Sequence, residues 1–342
     1  MRPSDPDAET SHVRKRPALM IYDYHVPSDR VGLIDLSGQE FLEPFFVQSV
    51  GTLAQGAPAP LEVAGDRIAV KAVADAISES SPIPCGGQIY HTGRCGSTLL
   101  ANALSALDSL LVLKEPPFAQ QISADLLVYA TVDPQELRHR AIDICDHLVP
   151  STRGQSSYLL KFTSWNALCA EHWQQILHRS PTTFLWRPAR DVLESVARNP
   201  SGWIVGEEST ISPEQLTGRW TKTSDPRIPY PLTGALEVWC SVAEAGLRLA
   251  AEGALVLEYD TIAADFPAAF GQVVDHLAVL VDPPDLTRAL AEVGRYSKDP
   301  SRPWSATRQR TDMLDQEVIR IVERRTADLE EALRDVSRRN GR

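Results

Sequence analysis

The stretch Gln88-Ile89-Tyr90-His91-Thr92-Gly93-Arg94-Cys95-Gly96-Ser97-Thr98-Leu99-Leu100 decides how the chain is read. An apolar, strand-like run feeds a turn that carries glycines, a cation and two hydroxyls, and a helical pattern continues through Ala101-Asn102-Ala103-Leu104. Glycine tolerates the positive-φ backbone that turns successive N–H groups inward, and the new helix adds the positive end of its dipole. With Arg94, Ser97 and Thr98 as side-chain donors, the turn predicts a bound anion, phosphate above all. A nucleoside-triphosphate loop would run Gly, four residues, Gly, Lys, then Ser or Thr. Here Ser97 follows the second glycine and the cation precedes it, which weakens ATP or GTP as the ligand. For this loop read alone, a strand-to-helix turn without a ligand is the plainer alternative.

A second strand-to-helix unit lies downstream, Thr182-Thr183-Phe184-Leu185-Trp186-Arg187-Pro188-Ala189-Arg190-Asp191-Val192-Leu193-Glu194-Ser195. Its strand ends at Arg187, and its helix opens with Asp191 near the N-terminus, where a carboxylate is favoured. At these residues the chain resembles the 3′-phosphoadenosine-5′-phosphosulfate (PAPS)-dependent sulfotransferases. Their first loop runs Pro, Lys or Arg, Ser or Thr, Gly, two hydroxyl residues, then Leu or Trp, and Gly93 through Leu99 is similar to it. Gly93 stands for the usual Pro and Cys95 for the usual Ser or Thr, while the cation, the second glycine and the hydroxyl pair are kept. In the family's second motif an Arg and a Ser serve the 3′-phosphate, and Arg187 and Ser195 have the same spacing.

The resemblance implies a P-loop-type sulfotransferase fold of the α/β class: a central parallel sheet flanked by helices, with an N-terminal α/β extension. It implies PAPS as co-substrate and 3′,5′-diphosphoadenosine (PAP) as product. Binding would fall to Gly93, Arg94, Cys95, Gly96, Ser97, Thr98, Leu99, Arg187 and Ser195. In such transfer a hydroxyl attacks sulfur in line while a phosphate leaves, so a base is needed on the acceptor side. Glu115 is the expected base, because it ends the strand after the first helix, where ligands meet open α/β sheets. The protein-tyrosine sulfotransferases place their catalytic Glu at a comparable position. The plainer reading of Glu115 is a surface carboxylate paired with Lys114. Arg94 would stabilise the leaving phosphate, but an arginine stays charged and does not donate its proton. His91 is the rival base, although such a histidine more often serves as a hydrogen-bonded core residue. Lys161 is a weaker candidate for binding the sulfonate.

Outward from these motifs, strands and helices alternate, which predicts a parallel sheet. Apolar strands are expected at 110–113, 158–162, 182–187 and 254–260, with helices at 97–107, 118–129, 134–148, from about 165 to 179, and 235–251. Upstream, a polar leader over 1–17 is followed by short strands at 19–22 and 31–36 and by helices near 43–50 and 67–77. The polar run Ser78-Glu79-Ser80-Ser81-Pro82 then marks a boundary. That gives a leader and cap over 1–82 and a sulfotransferase-like domain with a C-terminal helix over 83–342. A helix over 268–279 precedes the irregular stretch 295–304. Many sulfotransferases close the nucleotide site with a basic C-terminal loop, and Lys298 and Arg302 are candidates here, although the form found in the cytosolic animal enzymes is missing. Trp203, Trp220 and the loop Lys222 to Pro231 read either as an apolar lid or as packing. The last segment, Thr311 to Arg339, reads as a solvated surface helix.

With 342 residues, 43% hydrophobic and 23% charged, the chain can bury a full core. A net charge of −11 argues against a broad nucleic-acid-binding surface, which recruits basic patches. No apolar run approaches the roughly 18 residues of a membrane span, and the first residues lack the shape of a signal peptide, so a cytoplasmic location is expected. Five scattered cysteines imply neither a disulfide framework nor a zinc site, and no clustered ligand spacing implies a metal. The expected partner is a small-molecule or peptide hydroxyl acceptor, and a homo-oligomer is compatible with this composition. Two other classes stay open. A kinase-like phosphotransferase would use ATP with Mg²⁺, and a non-catalytic nucleotide-binding module would keep Arg94, Arg187 and Ser195 without needing Glu115.

Overall fold

The computed structural model describes residues 19–36, 43, 45–48, 68–69, 82–199, 211–218, 225–229, 232–296, 299–303 and 313–340. Strands β1 (Leu19–His25) and β2 (Arg30–Asp35) form an antiparallel hairpin, and β3 (Ile68–Ala69) pairs with β2. The helix expected from Arg67 is therefore displaced at its start. Pairing with the open edge of the hairpin outweighs the local helical periodicity. Residues 70–77 lie outside the described residues.

The main sheet has five strands, β4 (Cys85–His91), β5 (Leu110–Lys114), β6 (Ser157–Lys161), β7 (Thr182–Trp186) and β8 (Leu255–Glu258). All pair in parallel, in the order β5-β6-β4-β7-β8. The chain starts in the middle, moves out to β5, returns to β6 beside β4, then crosses β4 to β7. The connections leaving the adjacent strands β4 and β7 thus lead toward opposite edges of the sheet, and ligands bind at the carboxyl edge of such a switch point. Register brings the strand ends level: Lys114 pairs with Lys161, His91 with Leu185 and Trp186 with Glu258.

Parallel sheets are covered on both faces, and alternate strand residues supply two cores. Ile89, Leu110, Val112, Leu159, Leu185, Leu255 and Leu257 pack with α1 (Ser97–Ser105) and residues of the later helices. Tyr90, Leu111, Leu113, Leu160, Phe184, Trp186 and Val256 face the other way, into the larger core. Each fully buried side chain of this size contributes about 1.5–3 kcal/mol. The larger core holds α2 (Pro117–Ala124), α3 (Pro134–His147), α4 (Ala170–Ile176) and α5 (Ala189–Arg198). The N-terminal hairpin belongs to it as well, since Met20, Ile21, Tyr24 and Val31 are buried there.

Further along come α6 (Pro213–Thr217), α7 (Leu232–Ala251), α8 (Tyr259–Ala264), α9 (Phe266–His276) and α10 (Pro283–Ala291), the last of which the sequence reading does not anticipate. The stretch expected to be irregular forms a short antiparallel pair, β9 (Arg295–Tyr296) with β10 (Asp299–Pro303). Helix α11 (Gln316–Asn340) is not solvated all round: Val318, Ile319, Val322 and Leu333 are buried in the larger core. Its many charges occupy the remaining faces of an amphipathic helix.

Candidate active site

The loop after β4 is built on left-handed backbone. Gly93, Arg94 and Gly96 have φ of 82°, 52° and 80°, the region that favours glycine and strains a residue such as arginine. At Gly96 a side chain would meet a second obstacle, because its Cβ would lie 3.2 Å from the Tyr259 ring, closer than ordinary van der Waals contact. Gly96 is the N-cap of α1, so no side chain closes the first turn, which Ser97, Thr98 and Leu99 begin. The early N–H groups of a helix have no intrahelical acceptor and suit an anion. Ser97 and Thr98 are buried and Leu99 is half-buried. Cys95 turns inward, its thiol donating to Leu185 O at 3.5 Å, and burial pushes its pKa up. Its backbone is what faces the turn.

His91 supports this loop from below. Its Nδ1 accepts the Gly93 N–H at 3.0 Å, so the neutral ring carries its proton on Nε2, which donates to Phe162 O at 2.9 Å. Both nitrogens are engaged. His91 thus supports the loop.

The second motif meets the first directly. Arg187 Nη1 donates to Arg94 O at 3.0 Å, and the Arg187 N–H donates to Thr92 Oγ1 at 3.2 Å. In the other direction, Arg94 Nη2 donates to the carbonyl of Asn199 at the end of α5. Within α5, Asp191 and Ser195 are four residues apart and share one helix face, and Ser195 is half-buried. Arg187 is also aligned by its neighbours: Nε is 3.5 Å from Asp191 Oδ2, the guanidinium lies 4.6 Å from the Tyr259 ring centroid, and its carbonyl accepts from Trp239 Nε1 at 3.0 Å. Tyr259 is missed by motif reading, yet it occupies the first position after β8, as Arg187 does after β7.

Glu115 follows β5 at the same edge. It has φ 57° although Pro116 follows it, and a non-glycine residue held there is strained, a feature that clusters at functional sites. Its N–H donates to Lys161 O at 2.7 Å, and its carboxylate pairs with the buried Lys161 ammonium. Only a fifth of the Glu115 side chain is exposed, and His91 Nε2 lies 3.9 Å from Oε1. The alternative reading of Glu115, a surface carboxylate paired with Lys114, does not hold: it is largely buried and its partner is Lys161. Lys114 instead points into the protein toward Asn102 on α1. Lys298, Trp203 and Trp220 lie outside the described residues, as does the side chain of Arg302.

Among the described residues no group of three or more His, Cys, Asp or Glu is gathered to hold a metal ion, and no helix is long and apolar enough to cross a membrane. No family model matches the chain, and no curated protein matches it. Solved structures similar to it include the sulfotransferase STF9 from Mycobacterium avium, 11% identical, covering 77% of this chain and 82% of that one at a TM-score of 0.48. Another is the sulfotransferase domain from the curacin biosynthetic pathway, 15% identical, covering 72% and 99% at 0.39. A third is retinol dehydratase in a complex with retinol and PAP, 12% identical, covering 76% and 85% at 0.35.

Proposed function

We propose that the protein is a PAPS-dependent sulfotransferase that moves a sulfuryl group to a hydroxyl of a small-molecule or peptide acceptor and releases PAP. The observation that carries the reading is the hydrogen bond from Arg187 to the carbonyl of Arg94, which joins the two motifs into one anion-binding face. That face suits a ligand phosphorylated at two places. The first-turn N–H groups of α1, with Arg94, Ser97 and Thr98, serve the 5′ side, and Arg187 with Ser195 serves the 3′-phosphate. The fit rests on donor chemistry and on Gly93 and Gly96, which take up the positive φ of the turn without strain.

PAPS supplies a sulfuryl group attached to a phosphate that can leave. Glu115 takes the proton of the acceptor hydroxyl as its oxygen bonds to sulfur, while the bond between sulfur and the phosphate oxygen breaks. Lys161 holds the Glu115 carboxylate in place. Arg94 and the start of α1 meet the charge that collects on the departing phosphate, where fixed donors act most strongly. An acceptor screen with radiolabelled PAPS, run in EDTA, tests the reading. Label should move to at least one class of phenol, steroid, sugar, lipid or peptide hydroxyl. Retention of all label as PAPS by a protein that also fails to bind PAP would exclude it.

A further inference from the structure

One buried cation beside this site has no part in the steps above. Lys114 ends β5 directly before Glu115, is 1% exposed, and donates to Asn102 Oδ1 at 2.9 Å and to Glu43 O at 3.0 Å. Those bonds join three parts of the chain: the strand that ends at the base, the helix that follows the loop, and the N-terminal segment. Two residues beyond Glu43, the Phe45 ring centroid lies 5.7 Å from Lys161 Nζ. Phe46, next to it, is buried and stacks on Tyr22 at 6.4 Å, which ties the segment to the hairpin.

We infer that Lys114 is a positioning residue for the acceptor side of the site: it fastens the N-terminal segment at Glu43 to α1 and β5, and so seats Phe45 against Lys161, the partner of Glu115. The inference rests on reading Glu115 as the base and adds to it the element that walls the base in. An aromatic wall beside the base fits an acceptor that presents its hydroxyl from a flat or apolar frame.

Such a fastening is linked to protons. Burial, then the neighbouring Lys161, lower the Lys114 pKa to about 7, against the pull of Glu292 and Glu43. Those groups face it from β6, from the turn Glu292–Gly294 and from the N-terminal segment, and Glu115 follows it in the chain. When the segment lifts, water reaches the ammonium and its pKa returns toward the usual value of about 10.4. The lifted state then holds a proton that the closed state has released. Closure is therefore independent of pH below about 7 and becomes more favourable above it, by up to about tenfold per pH unit.

Hydrogen exchange on the full chain, read as protection of the peptide spanning Glu43 to Gln48 at pH 6, 7, 8 and 9, tests this without any nucleotide. The open population, corrected for intrinsic exchange, should be level from pH 6 to 7 and fall severalfold to tenfold per unit above. Lys114→Met should abolish the slope. A flat wild-type profile, or an unchanged slope in Lys114→Met, overturns the inference. Should Lys114→Met not fold, Asn102→Asp decides. An added carboxylate keeps the ammonium charged to higher pH, so the break should move up by at least one unit, and a break that stays overturns the inference. PAP binding by the wild type, measured alongside, reports separately on the sulfuryl-transfer reading.

Discussion

Arg187 Nη1 donates to the carbonyl oxygen of Arg94 at 3.0 Å, although the two residues are 93 positions apart in the chain. The bond holds the turn after β4 against the start of α5 and turns two separate strand ends into one surface. Arg94 answers through Asn199 at the far end of the same helix. A ligand bound by one motif would thereby be presented to the other.

Arg187→Ala and Ser195→Ala should weaken PAP far more than adenosine 5′-phosphate if, as proposed, both residues address the 3′-phosphate. Losses of about 1.5–3 kcal/mol for the arginine and about 0.5–1.5 kcal/mol for the serine are expected from charge-assisted and neutral hydrogen bonds. Titration of each variant with both nucleotides measures the difference. Equal losses for the two ligands would remove the 3′-phosphate assignment.

Glu115→Gln should keep PAP affinity within a few-fold while transfer to any identified acceptor falls by about 10²–10⁴, the usual effect of losing a general base. His91→Ala should act differently. It leaves the Gly93 N–H and Phe162 O without a partner, at about 1–3 kcal/mol, and so lowers nucleotide affinity and the melting temperature together. Normal turnover by the Glu115 variant, with loss confined to the chemical step in the His91 variant, would reverse the two roles.

Glu330 on α11 accepts the Ala189 N–H at 3.0 Å, and so caps α5, the helix that follows Arg187 and carries Ser195. Its other contacts, with Thr326 at 2.9 Å and Arg334 at 3.7 Å, hold the carboxylate in place. Glu330→Ala should cost about 1–2 kcal/mol in urea unfolding, as for other lost caps, and should reduce PAP affinity more than adenosine 5′-phosphate affinity. Unchanged stability with unchanged nucleotide preference would detach α11 from the site.

Much of this architecture is legible in the residues, for identifiable reasons. Strands β4 to β7 are buried on both faces and so read as apolar runs, and the glycines of the loop mark positive φ that few other residues accept. Helix α11 misleads because a 25-residue amphipathic helix needs only a narrow apolar stripe, here Val318, Val322 and Leu333, amid a majority of polar residues. The pairing of Glu115 with Lys161 is invisible beforehand because it depends on strand order. Glu115 follows β5, and β6 lies beside β5 only after the chain has passed through α2 and α3. Tyr259, Glu330 and Glu43 reach the site through contacts of the same long-range kind, with no local pattern to announce them.

The central claim, that one surface reads a nucleotide phosphorylated at both the 5′ and 3′ positions, is tested most directly by calorimetric titration of the full chain in EDTA with PAP, adenosine 5′-phosphate and, in a separate magnesium buffer, MgATP. A charge-assisted contact to the 3′-phosphate is worth at least about tenfold in affinity, so PAP should bind at least that much more tightly than the monophosphate, without metal. Binding of MgATP with no heat from PAP, or equal affinity for PAP and the monophosphate, would contradict the account.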